Sequence, residues 1–492
     1  MNEVQIKPFR DRDAGYTLLT GATGLVGRYL MRDLLSAGVR LAVLVRPTRR
    51  ETASQRVERI LQHWESAAGH SLARPVVLEG DTTQPGMGLK EQDRHWLADH
   101  CDSIIHNAAI LRFHETRRDQ EPWITNLEGT RNAIAMAEQT GIRNFHQVST
   151  AYVCGDRFGK ILESDFDCQQ EFRNDYERSK FEAEQLVRQS TAFDKVTIYR
   201  PVAISGDSVT GYTSSYHGIY VYLRLISLLV PQHERDANGN LYLPVQIPMT
   251  ADTPRNVVTV DWVSDVFCSL FLNPEAHGRT YHLAPVQRIT PRELIASLVK
   301  YYRATGVEFR EEGVEADHEQ PAFAQTILDN ITVYQQYEST DPEFDTTNMR
   351  EFAGHIPCPV IDSDSIHRYL DFGIADQWGK SRPQPIAVPD HRSLIDAIAN
   401  WWQVPEKRNG SNGSCQSSRC HVRIVGPGGG DWTLVRGVHS VTVEPGLAGN
   451  GEARFSFDAK QLVQFESPAP NPSELTNLLE NHRVPQQHLQ QT

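Results

Sequence analysis

Thr20-Gly21-Ala22-Thr23-Gly24-Leu25-Val26-Gly27 is the stretch that decides the fold. An apolar run, Tyr16 to Leu19, leads into it, and helical spacing begins near Leu25. Glycines at intervals of three let a chain turn sharply after a strand and approach a pyrophosphate closely. They also bring a helix N-terminus to the phosphate charge. The pattern predicts a strand, turn and helix around a nucleotide, with Gly21, Thr23, Gly24, Leu25 and Gly27 at the ligand.

The same plan recurs along the chain. Apolar runs at Tyr16 to Thr20, Arg40 to Val45, Pro75 to Glu79, Ser103 to His106, Asn144 to Ser149 and Val196 to Tyr199 are separated by helical patterns. That alternation predicts an α/β fold, a doubly wound parallel sheet covered by helices on both faces. Past Pro201 the pattern loosens into a smaller, mostly helical lobe. It has a helical Tyr216 to Val230, a strand and helix from Val257 to Phe271, and a short strand at Thr280 to Leu283. A helix capped by Thr290-Pro291-Arg292-Glu293 follows. The expected organisation is a tail over 1–14 and a main unit over 15–380, with its nucleotide-binding core at about 15–215. A linker over 381–418 holds one amphipathic piece, Ser393 to Trp402, and a small α+β module occupies 419–492.

At 492 residues the chain exceeds one ordinary core, and 39% hydrophobic with 23% charged residues is a globular composition rather than a disordered one. A net charge of -13 argues against nucleic acid or anionic lipid as a general partner. Met1 to Asp13 lacks the apolar segment of a secretory signal, and Ile219 to Val230 is interrupted by Arg224 and too short to span a bilayer. No stable membrane insertion is expected. The seven cysteines are scattered; the loose grouping of Cys415, Cys420 and His421 reads as a solvated loop rather than a metal site. A cytoplasmic location is expected, and the oligomeric state is left open.

Tyr176-Glu177-Arg178-Ser179-Lys180 sets a phenol and an ammonium four residues apart on one helix face. A free tyrosine, with a pKa of about 10, is a weak proton donor at neutral pH. An ammonium about 4 Å away is worth up to roughly 4 kcal/mol at an effective dielectric near 20, enough to lower that pKa by about two or three units. The strand before this helix ends in Ser149-Thr150, whose hydroxyls suit a developing oxyanion, Thr150 first and Ser149 second. The second strand ends Leu44-Val45-Arg46, with Arg49 and Arg50 following, where a site for NAD carries an acid. Arginine forks onto a 2′-phosphate, so NADPH is favoured, with Arg56 a second candidate.

With the TGxxGxxG turn, His106-Asn107-Ala108-Ala109, Thr150 and the YxxxK pair, the chain resembles the extended short-chain dehydrogenase/reductases. Further segments narrow the likeness: Gly80-Asp81-Thr82-Thr83-Gln84-Pro85 with Gly88-Leu89, Asn126-Leu127-Glu128-Gly129-Thr130, Tyr199-Arg200-Pro201, Gly206-Asp207-Ser208-Val209-Thr210-Gly211, and Phe344-Asp345-Thr346-Thr347-Asn348 with Cys358-Pro359. They resemble the thioester reductases with male sterility-type NAD(P)-binding domains: fatty acyl-CoA reductases, and the terminal reductase domains of carboxylic acid reductases and of peptide or polyketide synthases. The likeness runs over about residues 15–375.

It implies that Gly21, Gly24 and Gly27 hold the pyrophosphate and that Asp81 contacts the adenine. Asn107 and Ala108 would lie along the cofactor, Pro201 and Val202 would flank the nicotinamide, and Lys180 would hold both Tyr176 and the nicotinamide ribose. The implied reaction reduces an acyl thioester, borne by coenzyme A or a carrier protein, to an aldehyde and in a second round to an alcohol. Cys154-Gly155-Asp156 also resembles a turn of sugar epimerases and hydroxysteroid dehydrogenases, which implies an alcohol or ketone substrate as the alternative. Ile219 to Val230 reads equally as the wall of an acyl channel or as a buried helix.

Overall fold

The computed structural model describes residues 15–113, 117–230, 234–248, 250–310, 341–380, 386–403, 418–437, 440–449, 451, 453–462 and 470–484. The tail 1–14, Cys415 and much of the expected linker lie outside the described residues.

Seven strands form the main sheet: β1 (Tyr16–Thr20), β2 (Leu41–Val45), β3 (Val76–Glu79), β4 (Cys101–His106), β5 (Asn144–Val148), β6 (Lys195–Pro201) and β7 (Thr280–Leu283). Their order is β7-β6-β5-β4-β1-β2-β3, with every neighbouring pair parallel. The winding reverses between β1 and β4, which opens a crevice beyond the carboxyl ends of the strands. Thr280–Leu283 was expected in the smaller lobe; it is instead the outermost strand, pairing Tyr281 with Tyr199. All four of its residues are buried, so its sequence carries no alternation to separate a sheet edge from a lobe strand.

Side chains alternate across the sheet, and each face collects its own core. Leu19, Val43, Val45 and Ile105 meet Tyr29 and Leu34 of α1 (Leu25–Ser36) on one side. Leu18, Ala42, Leu44, Ile104 and Phe145 meet Ala133 and Ile134 of the helix Gly129–Thr140 on the other. These runs therefore read as nearly continuous apolar stretches, as strands buried on both faces must.

The smaller lobe packs Tyr220 and Leu223 of the helix Ile219–Leu229 against Leu241, Leu298, Ile366 and Tyr369. It also contains a parallel pair, Leu241–Pro248 with Ala304–Arg310, that the sequence reading did not anticipate. Toward the C-terminus the strands Arg419–Val425, Gly430–Arg436, Val441–Pro445 and Ala453–Asp458 form a mixed four-stranded sheet. Cys420 and His421 are buried in the first of these strands, not in a solvated loop, because Cys420 belongs to the module's apolar core. The helix Arg392–Gln403 lies inside the stretch expected as a linker, yet its Leu394, Ile395 and Ile398 pack into that same core. The module is seated on the main unit: Trp96 Nε1 donates to the Pro445 carbonyl at 2.7 Å, and the Leu447 N–H donates to the Tyr16 hydroxyl at 2.8 Å. Among the described residues no helix is long and apolar enough to cross a membrane.

One ion pair joins helix to sheet beneath the crevice. Arg200 of β6 and Glu184 of the helix Asp175–Gln189 are 1% and 0% exposed, and they meet through a forked contact of 2.7 and 3.1 Å. Burial works to raise the Glu184 carboxyl, but Arg200, Arg188 and the Ser149 hydroxyl outweigh it and hold it at about 2. Glu184→Ala should cost about 3–5 kcal/mol at neutral pH by stranding the Arg200 charge, as read by urea unfolding. The carboxyl titrates lower in the folded chain than in the unfolded one, so its contribution is complete above a pH of about 4.3. It fades as the pH falls toward about 2, and the gap between the two proteins should close over that interval.

Candidate active site

A cavity of about 730 Å³ opens at the carboxyl ends of the strands. Its walls come from the segments that leave β1 to β6 and from the smaller lobe. Thr23, Gly24, Leu25, Arg46, Arg56, Asp81, Asn107, Ala108, Thr150, Tyr176, Lys180, Pro201 and Val202 all line it, together with Gly21. Gly27 does not; it is buried, and a Cβ there would stand 2.8 Å from the Ala22 Cα. Gly27, expected at the pyrophosphate, thus lies behind the cavity wall and lets α1 close onto the turn.

Gly21 has φ of +69°, and a Cβ on it would lie 2.7 Å from the Ala108 nitrogen, so the turn after β1 rests directly on the chain leaving β4. Thr20 locks that approach. Its buried hydroxyl accepts the Asn107 and Ala108 N–H groups at 3.2 Å and meets His106 Nδ1 at 2.9 Å, while Asn107 Nδ2 donates to the Gly21 carbonyl. At the head of α1, Gly24 is the N-cap with no side-chain acceptor, and the first turn holds no acid. The helix's leading N–H groups and positive dipole end are directed to the cavity without an internal counter-anion, as a bound phosphate needs.

Arginines gather beside this turn. Arg28 Nε donates to the Thr23 carbonyl at 2.9 Å, and Arg56 Nη2 donates to the Thr23 hydroxyl at 3.1 Å. Arg46 reaches Asp81 at 3.4 Å with an exposed side chain, and Asp81 also accepts the Thr83 N–H and hydroxyl at 2.9 Å. Burial and then repulsion from Arg59, Arg28 and Arg46 lower the Arg56 pKa from its ordinary value. Such a cluster is relieved by an anion. Arg49 and Arg50 are exposed and do not line the cavity. Arg28 escaped the sequence reading, although its place one turn into α1, four residues after Gly24, was the available signal.

The hydroxyl and phenol expected to share one oxygen come together. Ser149 turns away to Glu184, donating at 2.6 Å, whereas the Thr150 hydroxyl, which donates to the Pro201 carbonyl at 3.4 Å, lines the cavity with Tyr176 and acts to lower its pKa. Burial pushes that phenol up to about 12 against the opposing pull of Thr150. The expected lowering by Lys180 is absent from the forces acting on it. Lys180 Nζ instead donates to the Val148 carbonyl at 2.7 Å, and burial brings its own pKa down to about 8 in spite of Glu184. Spacing four residues apart on a helix fixed the common face but not the lysine's hydrogen-bond partner.

Asn126, quoted above only within a motif, braces this constellation. It sits in the π-helical turn Ile124–Glu128, binds the Ile110 backbone through both ends of its carboxamide and donates to Ser179 Oγ at 3.0 Å. Ser179 in turn donates to the Tyr176 carbonyl at 2.9 Å. Leu111 and Phe113 continue the wall on this side, with Phe113 edge-on to Tyr176 at a centroid distance of 6.1 Å. Opposite them, Ile219 and Tyr222 face the cavity while Tyr220 and Leu223 fill the lobe's core, so the helix Ile219–Leu229 is both channel wall and buried helix.

The male sterility protein family matches residues 19–267. The chain is 23% identical over 388 residues to the non-canonical nonribosomal peptide synthetase hkm10 of Aspergillus hancockii, covering 73% of this chain and 36% of that protein. It is 34% identical over 149 residues to fatty acyl-CoA reductase 1 of Mus musculus, 28% of each chain. It therefore spans about a third of the length of the curated relatives it matches. Its structure is similar to the terminal R domain of the myxalamid PKS-NRPS biosynthetic pathway, with a TM-score of 0.59 and 25% identity over 76% of this chain and 94% of that one.

Gly21→Ala should weaken nicotinamide dinucleotide binding by about tenfold or more, as followed by cofactor fluorescence. The added Cβ strains a left-handed residue and forces β1 and β4 apart at the turn.

Proposed function

Because the chain belongs to the male sterility family of NAD-binding domains, within the thioester reductase-like extended short-chain dehydrogenase/reductases, we propose that it reduces an acyl thioester with NADPH. The observation that carries this reading is that Thr150, Tyr176 and Lys180 line one cavity with the glycine turn and the arginine cluster. The residues fit the cofactor. The glycine turn and the open head of α1 suit the pyrophosphate, and Arg28, Arg56 and Arg46 suit a 2′-phosphate. Asp81 would lie at the adenine, Asn107 and Ala108 along the cofactor, Lys180 at the nicotinamide ribose, and Pro201 and Val202 at the nicotinamide. When bound, NADPH supplies a hydride to the carbonyl carbon.

Thr150 and Tyr176 receive the carbonyl oxygen. Both donate hydrogen bonds as negative charge grows there, in a pocket where burial makes each donor count for more than it would in water. Tyr176 hands its proton to that oxygen, and a phenol held near 12 reaches the task fully protonated at neutral pH. Lys180, tied to the Val148 carbonyl and brought to about 8, shares the helix face of Tyr176 and would hold the nicotinamide ribose rather than set the acidity of the phenol. The hemithioacetal then expels its thiol, a better leaving group than an alkoxide since thiols ionise near a pKa of about 8.5. An aldehyde results, and the same oxygen site serves a second round to the alcohol. Leu111, Phe113, Ile219 and Tyr222 supply an apolar wall for the acyl chain, delivered by coenzyme A or a carrier protein.

Mixing the full chain with NADPH and acyl-CoA or acyl-carrier thioesters, and following absorbance with product identification, tests the proposal. Tyr176→Phe should lower kcat by about a hundredfold or more with little change in cofactor binding. Near-normal turnover by this variant would remove the assigned role. Arg28→Ala and Arg56→Ala should each raise the KM for NADPH by about tenfold while leaving that for NADH nearly unchanged. Equal effects on both cofactors would sever the arginines from the 2′-phosphate.

A further inference from the structure

The arginine cluster beside the glycine turn leans on a side chain that stands behind the cavity wall. Arg28, which lines the cavity, is held by two bonds: Nε donates to the Thr23 carbonyl at 2.9 Å, and Nη1 donates to the Tyr212 hydroxyl at 2.7 Å. Thr23 belongs to the turn itself, whereas Tyr212 lies 184 residues beyond Arg28, after the strand Ala203–Ser205 and outside the residues that line the cavity. Both acceptors are neutral. They orient the guanidinium without setting a carboxylate against it, unlike Arg59, which is paired with Glu51 at 2.8 Å. Neither bond uses Nη2, so the charge and the remaining donors of Arg28 stay available to an anion in the cavity.

Tyr212 is itself fixed by its neighbours and its own backbone. Its ring stacks on His63 with centroids 4.9 Å apart, and it meets Trp64 of the same helix, Ala53–Ala68, and Phe372 of the helix Ser363–Ala375, each at 5.4 Å. The Gly211 N–H donates to the Asp207 carbonyl and the Asp207 N–H to the Tyr212 carbonyl, both at 3.0 Å, while the Asp207 carboxylate accepts the Tyr29 hydroxyl of α1 at 3.0 Å. The phenol oxygen therefore has one place to stand, and Arg28 takes its position from it. Arg56 meets Thr23 through the threonine hydroxyl at 3.1 Å, so two guanidinium groups converge on one residue. An arginine side chain loses much rotamer freedom when a ligand orders it, and an anchor already in place removes that loss from the binding step.

We propose that Tyr212 is a positioning residue for cofactor choice: by holding Arg28 on its hydroxyl, it makes the site prefer the nicotinamide dinucleotide that carries a 2′-phosphate. This rests on the NADPH reading above and assigns part of that preference to a residue that touches neither the cavity nor the glycine turn.

Tyr212→Phe removes the hydroxyl and keeps the ring in its stack. Affinities for NADPH and for NADH are measured by cofactor fluorescence in the full chain, in Tyr212→Phe, in Arg28→Ala and in the double variant. Tyr212→Phe should weaken NADPH binding about fivefold and leave NADH binding within about twofold. In the Arg28→Ala background the same change should alter neither affinity by more than about twofold, because a residue that acts through Arg28 has nothing left to position. A loss shared equally by the two cofactors, or the same NADPH loss in the Arg28→Ala background, overturns the inference by making Tyr212 a general support of the fold. If the full chain prefers NADPH and Tyr212→Phe leaves that preference intact, the inference fails while the cofactor reading stands. Equal affinity of the full chain for NADPH and NADH, or binding of neither, removes both.

Discussion

The close approach of two backbones organises this molecule. Where β1 ends, Gly21 leans on Asn107 and Ala108 with no room for a Cβ, and Thr20 holds the contact by receiving both of those N–H groups. The winding of the sheet reverses at that point, so the strands to either side send their following segments apart and leave a crevice. α1 can begin there with its leading N–H groups uncapped only because the turn is narrow enough to aim them into that crevice. A wider turn would separate the helix dipole from the chain leaving β4.

Beneath the crevice the polar groups are arranged so that each reactive side chain has one place to go. Glu184 draws Ser149 and Arg200 to itself inside the protein, which leaves Thr150 as the hydroxyl facing Tyr176. Asn126 and Ser179 clamp the helix that carries Tyr176 to the loop after β4, and Lys180 is fastened to the end of β5. Buried networks of this kind are costly when incomplete and rigid when complete. The rigidity would serve the proposed proton transfer, since a phenol raised by burial donates a proton well only when its acceptor is held in line.

The glycine turn, the strand ends and the YxxxK helix were legible because their signals are local. The Thr290 and Glu293 capping box was equally plain and is present at the head of its helix. Arg28 and Asn126 were harder, since one is an ordinary helix arginine and the other an ordinary motif asparagine until the chain folds them onto Thr23 and Ile110. β7 was misplaced because a short strand buried on both faces has no period. The same limit applied to the electrostatics. Spacing set Tyr176 and Lys180 on one helix face, whereas the depth of burial set their acidities and the Val148 carbonyl took the lysine's hydrogen bond.

The sequence by itself determined the alternation of strands and helices, the glycine turn at the head of α1 and the chemical kinds of group near it, because each depends on residues within a few positions of one another. Only the tertiary structure decided which of two adjacent hydroxyls meets the phenol, which arginines converge on one threonine, and that Asp341 enters the wall of a cavity begun more than three hundred residues earlier. Those outcomes follow from packing between distant segments, where burial removes water and makes the choice of hydrogen-bond partner decisive.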